Sequence, residues 1–95
     1  MENLNRVKEL ALDLRREEPR SSYEELGGES HAARTLDKCR ATLLGWNGDY
    51  QFGCPMDQHF FQETGIDQNE FRDYVATGAT DEEVGRWVQQ QVAKS

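Results

Sequence analysis

The stretch Asp67–Val92, DQNEFRDYVATGATDEEVGRWVQQQV, decides the fold class. Asp67 is followed three residues later by Glu70, and Thr80 by Glu83. Both pairs have the form of a capping box, in which the N-cap side chain and the third helical residue each satisfy a backbone N–H of the first turn. Behind the first box Phe71, Tyr74 and Val75 recur at helical spacing; behind the second, Val84, Trp87, Val88 and Val92 do so. Gly78 separates the two. Two short amphipathic helices joined by a tight connection are therefore expected.

Upstream, the punctuation is of the same kind. Cys54-Pro55 opens a third helix with proline at its first position; Phe60 and Phe61 are its apolar residues and Gly65 closes it, with Ile66 supplying the contact that follows a glycine C-cap. Residues 46–53 are the least helical: Asn47-Gly48 is a turn signal and Tyr50 and Phe52 alternate, which fits an irregular, extended or tiny hairpin segment. Ser30 can cap a helix that ends at Leu44 before Gly45, with Ala33, Leu36, Cys39, Ala41 and Leu43 as apolar positions. Arg20 to Glu29 reads as a loop with at most one turn near Tyr23, in which Gly27-Gly28 permits positive φ and close backbone approach. Leu4, Val7, Leu10, Ala11 and Leu14 predict a first helix from about Asn3 to Glu17, stopped by Pro19. The reading is an all-α single domain over residues 1–95, built of about five short helices, with fraying at 94–95. The aromatics form its core except Trp46 and Tyr50, which sit in the irregular segment and can line a groove.

Composition narrows the function classes. A chain of 95 residues, 36% hydrophobic and 31% charged, forms one domain with one modest core. That excludes a multi-domain enzyme with its own cofactor fold. Eighteen acidic against eleven basic side chains give a net charge of -7, which repels duplex nucleic acid and anionic membranes. The imbalance is uneven: Met1–Gly45 carries 8 basic and 9 acidic groups, Trp46–Ser95 carries 3 and 9, so an anion-binding surface belongs to the first half. No apolar run reaches the roughly 18 residues of a membrane span. The first residues lack the basic and apolar regions of a signal peptide, and Cys39 and Cys54 read as reduced thiols. A soluble, cytoplasmic protein is expected.

Several phrases occurring in order resemble one family. They are Asp13-Leu14-Arg15 with Pro19-Arg20-Ser21, Leu26-Gly27-Gly28, Arg34 with Asp37-Lys38, Gly48-Asp49-Tyr50 with Cys54-Pro55-Met56-Asp57, Gly65-Ile66-Asp67, and Glu83-Val84 with Trp87-Val88. Together they are similar to the small bacterial domain-of-unknown-function family 5069, over roughly Asp13 to Gln89; residues 1–12 are less family-like. The resemblance implies a small bacterial domain and brings no activity with it. Two places depart from the family pattern: Glu29-Ser30-His31-Ala32-Ala33 stands where an aromatic and aliphatic stretch is usual, and Cys39 where a small residue is.

Two constellations carry chemistry. The first is basic: Arg15, Arg20, Arg34 and Lys38, with Arg34 and Lys38 one helical turn apart and Gly27-Gly28 able to present backbone N–H groups to the same anion. Trp46 and Tyr50 would stand on its rim. The blander reading is that these cations are surface charges paired to Glu17, Glu18, Glu24 or Asp37. The second is Cys54 at a helix N-terminus, where the dipole favours a thiolate, with Asp57 or His59 as acid or base; the alternative is a structural cysteine and ordinary helix grammar. Cys39, Cys54, His31 and His59 lack the paired spacing of metal ligands, so no metal and no cofactor is expected. The sequence favours a non-catalytic binding module for an anionic small molecule or a protein partner, as a monomer or homodimer. A thiol-dependent enzyme using Cys54, or a purely structural, dimerising helical domain, is the alternative.

Overall fold

The computed structural model describes residues 2–94. In chain order these form α1 (Leu4–Leu10), a two-stranded antiparallel hairpin of β1 (Glu25–Leu26) and β2 (Glu29–Ser30), α2 (Ala32–Leu44), α3 (Pro55–Thr64), α4 (Gln68–Ala76) and α5 (Asp81–Lys94). The fold is all-α apart from that hairpin. Its radius of gyration is 12.0 Å, the value of about 12 Å expected of a compact chain this long. Of the residues expected to fray, Lys94 is the last of α5 and Ser95 lies outside the described residues.

The helix ends follow their sequence signals. Thr80 N–H donates to Glu83 Oε1 at 2.8 Å and Glu83 N–H to Thr80 Oγ1 at 3.2 Å, a complete capping box. These hydrogen bonds to Thr80 hold the Glu83 carboxyl below its ordinary pKa. The Asp67 side chain accepts from the Asn69 and Glu70 amides. Pro55 opens α3 with Cys54 as N-cap, and Gly45 and Gly65 end α2 and α3 in the left-handed conformation.

Phe71 is fully buried at the centre of the core, with ring centroids of Phe61, Trp87, Phe52 and Phe60 at 5.6, 6.0, 6.2 and 6.5 Å. Leu36, Val75, Val84 and Val88 close around this cluster. Helix α2 is buried nearly all round: beside Ala32, Ala33, Leu36, Cys39 and Ala41 it buries Thr35, Asp37, Lys38 and Arg40. A helix with three buried charges needs counter-charges from its neighbours, because an unpaired ion loses several kcal/mol of hydration.

Three boundaries differ from the sequence reading. The first helix stops at Leu10 rather than Glu17, with Ala11 extended at φ -77°, ψ 148°. Asp13 starts a separate turn instead. Its carboxylate accepts the Arg15 amide at 3.0 Å, and its carbonyl accepts the Arg16 and Glu17 amides at 3.0 Å each. Such local side-chain bonds compete with helix continuation. The turn then lies against Gly48, where a Cβ would come within 2.9 Å of the Leu14 carbonyl oxygen. Second, a hairpin lies at Glu25–Ser30, where a loop was expected, with φ of 64° at Gly27 and 80° at Gly28, while residues 46–53 form the irregular segment expected there. A Cβ on Gly27 would run into the carbonyl oxygen of Gly85, so the double glycine also seats the hairpin on α5. Third, Ser30 does not cap α2. The N-cap is His31, at φ 73° and without a side-chain cap bond, because its imidazole is engaged elsewhere.

Candidate functional site

His31, Thr35 and Lys38 follow one another at i, i+4 and i+7 and so share one face of α2. They meet Asp57, which the first turn of α3 places in the interior, fully buried. Asp57 Oδ1 accepts from His31 Nε2 at 2.7 Å and lies 3.1 Å from Thr35 Oγ1. Oδ2 pairs with Lys38 Nζ at 2.9 Å and accepts the Gly53 N–H at 2.9 Å. Burial pushes the Asp57 carboxyl up, but the hydrogen bonds from Lys38, Gly53 and His31 together outweigh it and hold the group below the usual carboxylate range. With Asp57 ionised, His31 Nε2 carries the proton it donates. Nδ1 is buried without a hydrogen-bond partner.

Lys38 Nζ also donates to Cys54 Sγ at 3.1 Å. The half-buried thiol at the start of α3 is thus joined to Asp57 through Lys38. Of the assistants expected for Cys54, Asp57 is linked to it by that lysine, whereas His59 is exposed and pairs with Glu63 at 3.2 Å on its own helix. Cys39 lies in the core, where burial pushes its thiol far up and out of reach of reagents.

The groove beside His31 has a volume of about 710 Å3 and lies between the hairpin and the outer face of α3. Ligand cavities typically measure about 300–1,000 Å3. Tyr23, Pro55, Met56 and Phe60 give it an apolar wall, and Tyr23 and Met56 are 90% and 58% exposed. Glu29 and Glu63 stand among its lining residues, as does Gly28.

Three of the four basic residues singled out from sequence are paired with carboxylates of the same chain. Arg15 makes two bonds to Asp13, at 2.9 and 3.0 Å, and its guanidinium lies 5.8 Å from the Trp46 ring centroid. Arg20 binds Asp37 at 2.9 and 3.0 Å and Asp81 at 2.8 Å. Lys38, expected on the face of Arg34, turns inward to Asp57 and is 4% exposed at its side chain. Arg34 has no carboxylate partner among the described residues; it donates to the Arg20 carbonyl at 3.3 Å and lies 5.7 Å from the Tyr50 ring centroid. The structure therefore joins Arg20 with Arg34 and pairs Trp46 and Tyr50 each with an arginine, but it does not gather all four cations on one surface.

A second polar cluster was not anticipated. Arg40 binds Asp81 Oδ1 at 2.8 Å and the Ala79 carbonyl at 2.9 Å, and Asp81 Oδ2 accepts from Arg20. Burial raises the Asp81 pKa, but Arg40 and Arg20 hold it below the ordinary value. This cluster ties the segment after Pro19, α2 and the start of α5 together. His31 and Thr35 were also missed as partners of Asp57; the available signal was the polar i, i+4, i+7 spacing of His31, Thr35 and Lys38 along one helix face.

Among the described residues no group of three or more His, Cys, Asp or Glu side chains is placed to hold a metal ion, and no helix is long and apolar enough to cross a membrane. No curated protein matches the sequence. The family model for a domain of unknown function, DUF5069, does match, over residues 16–95, from the turn after α1 to the end of the chain, and the protein belongs to that family.

Proposed function

We propose that this domain is a binding module and that its site is the groove between the hairpin and α3. The observation that carries this reading is an apolar groove of about 710 Å3 whose wall includes a buried histidine held by an ionised aspartate. Concave apolar surface with a few fixed polar groups is the usual form of a small-molecule site. Arg15, Arg20 and Lys38, the cations expected to receive an anion, are engaged by Asp13, Asp37, Asp81 and Asp57, which moves the weight from the basic residues to the groove. A fragment screen followed by amide chemical-shift mapping tests the reading. Hits are expected to perturb residues 22–31 and 55–64, and Met56→Asp, at an exposed position, should abolish them without unfolding the protein. Hits confined to the loop at residues 46–50 would refute the groove.

A second reading, a thiol-dependent activity at Cys54, is favoured by the 3.1 Å contact from Lys38 Nζ to Sγ at a helix N-terminus. It requires Cys54 to react with iodoacetamide faster than a model thiol, and Lys38→Met to slow that reaction. A sluggish Cys54 would exclude it.

A further inference from the structure

Resting on the groove as the binding site, we propose that its ligand is a small organic cation with an apolar body, such as an arylalkylammonium, and not an anion. The charge of the groove points this way. Its lining residues include two carboxylates, Glu29 and Glu63, and no lysine or arginine. Glu63 is shared with His59, but Glu29, half-buried on β2, makes no ion pair or side-chain hydrogen bond among the described residues. A carboxylate partly withdrawn from water and left unpaired gains most from a cation placed beside it.

The remaining lining side chains suit the same ligand. Tyr23, 90% exposed, offers the negative face of its ring to an ammonium group. Pro55, Met56 and Phe60 accept an apolar body, and the Met56 thioether adapts to its shape. His31, 8% exposed, is held by Asp57 through Nε2, and its Nδ1 is buried without a partner. An anion would meet two carboxylates and no lysine or arginine; a cation meets partners.

The test uses three compounds on one skeleton: 2-phenylethylamine, 2-phenylethanol and 3-phenylpropionate, titrated into the 15N-labelled protein at low and high salt. The amine should perturb Tyr23, Glu29, Met56 and Phe60 and bind at least about tenfold more tightly than the other two. That preference should shrink with salt. Glu29→Gln should remove most of the preference while leaving the alcohol's affinity unchanged. Should that variant disturb the hairpin, Glu63→Gln, at a 67% exposed side chain, should weaken the amine alone. If the alcohol or the carboxylate binds in the groove as well as the amine, the charge assignment is overturned and the groove remains a site. If none of the three perturbs the groove, the groove reading falls with it.

Discussion

Helix α2 carries two buried polar clusters on different faces, and they differ in how they end. On one face Asp37 and Arg40 meet Arg20 and Asp81, two cations against two anions, with a hydrogen bond to each of the four carboxylate oxygens. On the other, His31, Thr35 and Lys38 surround Asp57, and the cluster runs out at a half-buried thiol on one side and at an imidazole on a groove wall on the other. Each contains buried charges, Asp37 and Arg40 in the first and Lys38 and Asp57 in the second, so burial of charge alone does not distinguish a clasp from a site. Both border a concavity, for Arg20, Asp37, Arg40 and Asp81 line one of about 600 Å3; the distinction lies in pairing, since these four charges pair with one another while the groove beside the second cluster holds an unpaired carboxylate.

The comparison breaks most readily at Asp57. Asp57→Ala leaves Lys38 buried without its counter-charge and should cost about 3–5 kcal/mol, out of a total of about 5–15 kcal/mol for a domain. Urea denaturation measures this, and a loss well below that range would mean Lys38 finds water or another partner. Arg40→Ala should cost less, about 1–3 kcal/mol, because its partner Asp81 is 46% exposed at the side chain and can rehydrate.

Acid sharpens the same contrast. The folded-state pKa values of Asp57 and Asp81 lie below their unfolded values, so their contribution is present at neutral pH. It is lost as pH falls through the ordinary carboxylate value of about 4 towards the lower folded values. Asp57→Asn should therefore flatten the fall in stability below about pH 5, as read from urea midpoints across that range. An unchanged slope would show that Asp57 is not held below its unfolded pKa. The smallest effect is expected at Arg34→Ala, where only a half-buried contact with the Tyr50 ring and one bond to a carbonyl are lost: about 0.5–1 kcal/mol.

Much of the fold was legible because its signals are local. The Thr80–Glu83 box, the proline at the start of α3 and the glycines after α2 and α3 act within one helical turn, and each formed where it was read. The end of α1 was not legible in this way: Asp13 competes with the helix, and the resulting turn packs on Gly48, far along the chain. Asp37 and Lys38 read as charges on a helix surface and Arg40 was not singled out, because the groups that permit their burial, Arg20, Asp57 and Asp81, come from other segments. Cys54 and Asp57 were recognisable from the opening of α3, yet the lysine that links them sits 16 residues before the thiol. The groove was invisible for the same reason, since Glu29 and Phe60 become neighbours only when the hairpin folds against α3.

The most direct measurement is amide chemical-shift mapping of the 2-phenylethylamine complex across both clusters at once. Binding in the groove predicts perturbations at Glu29, His31, Met56 and Phe60 and none at Arg20, Asp37, Arg40 or Asp81. Perturbation of the second set, or silence of the first, would contradict the assignment of the groove as the functional face of this domain.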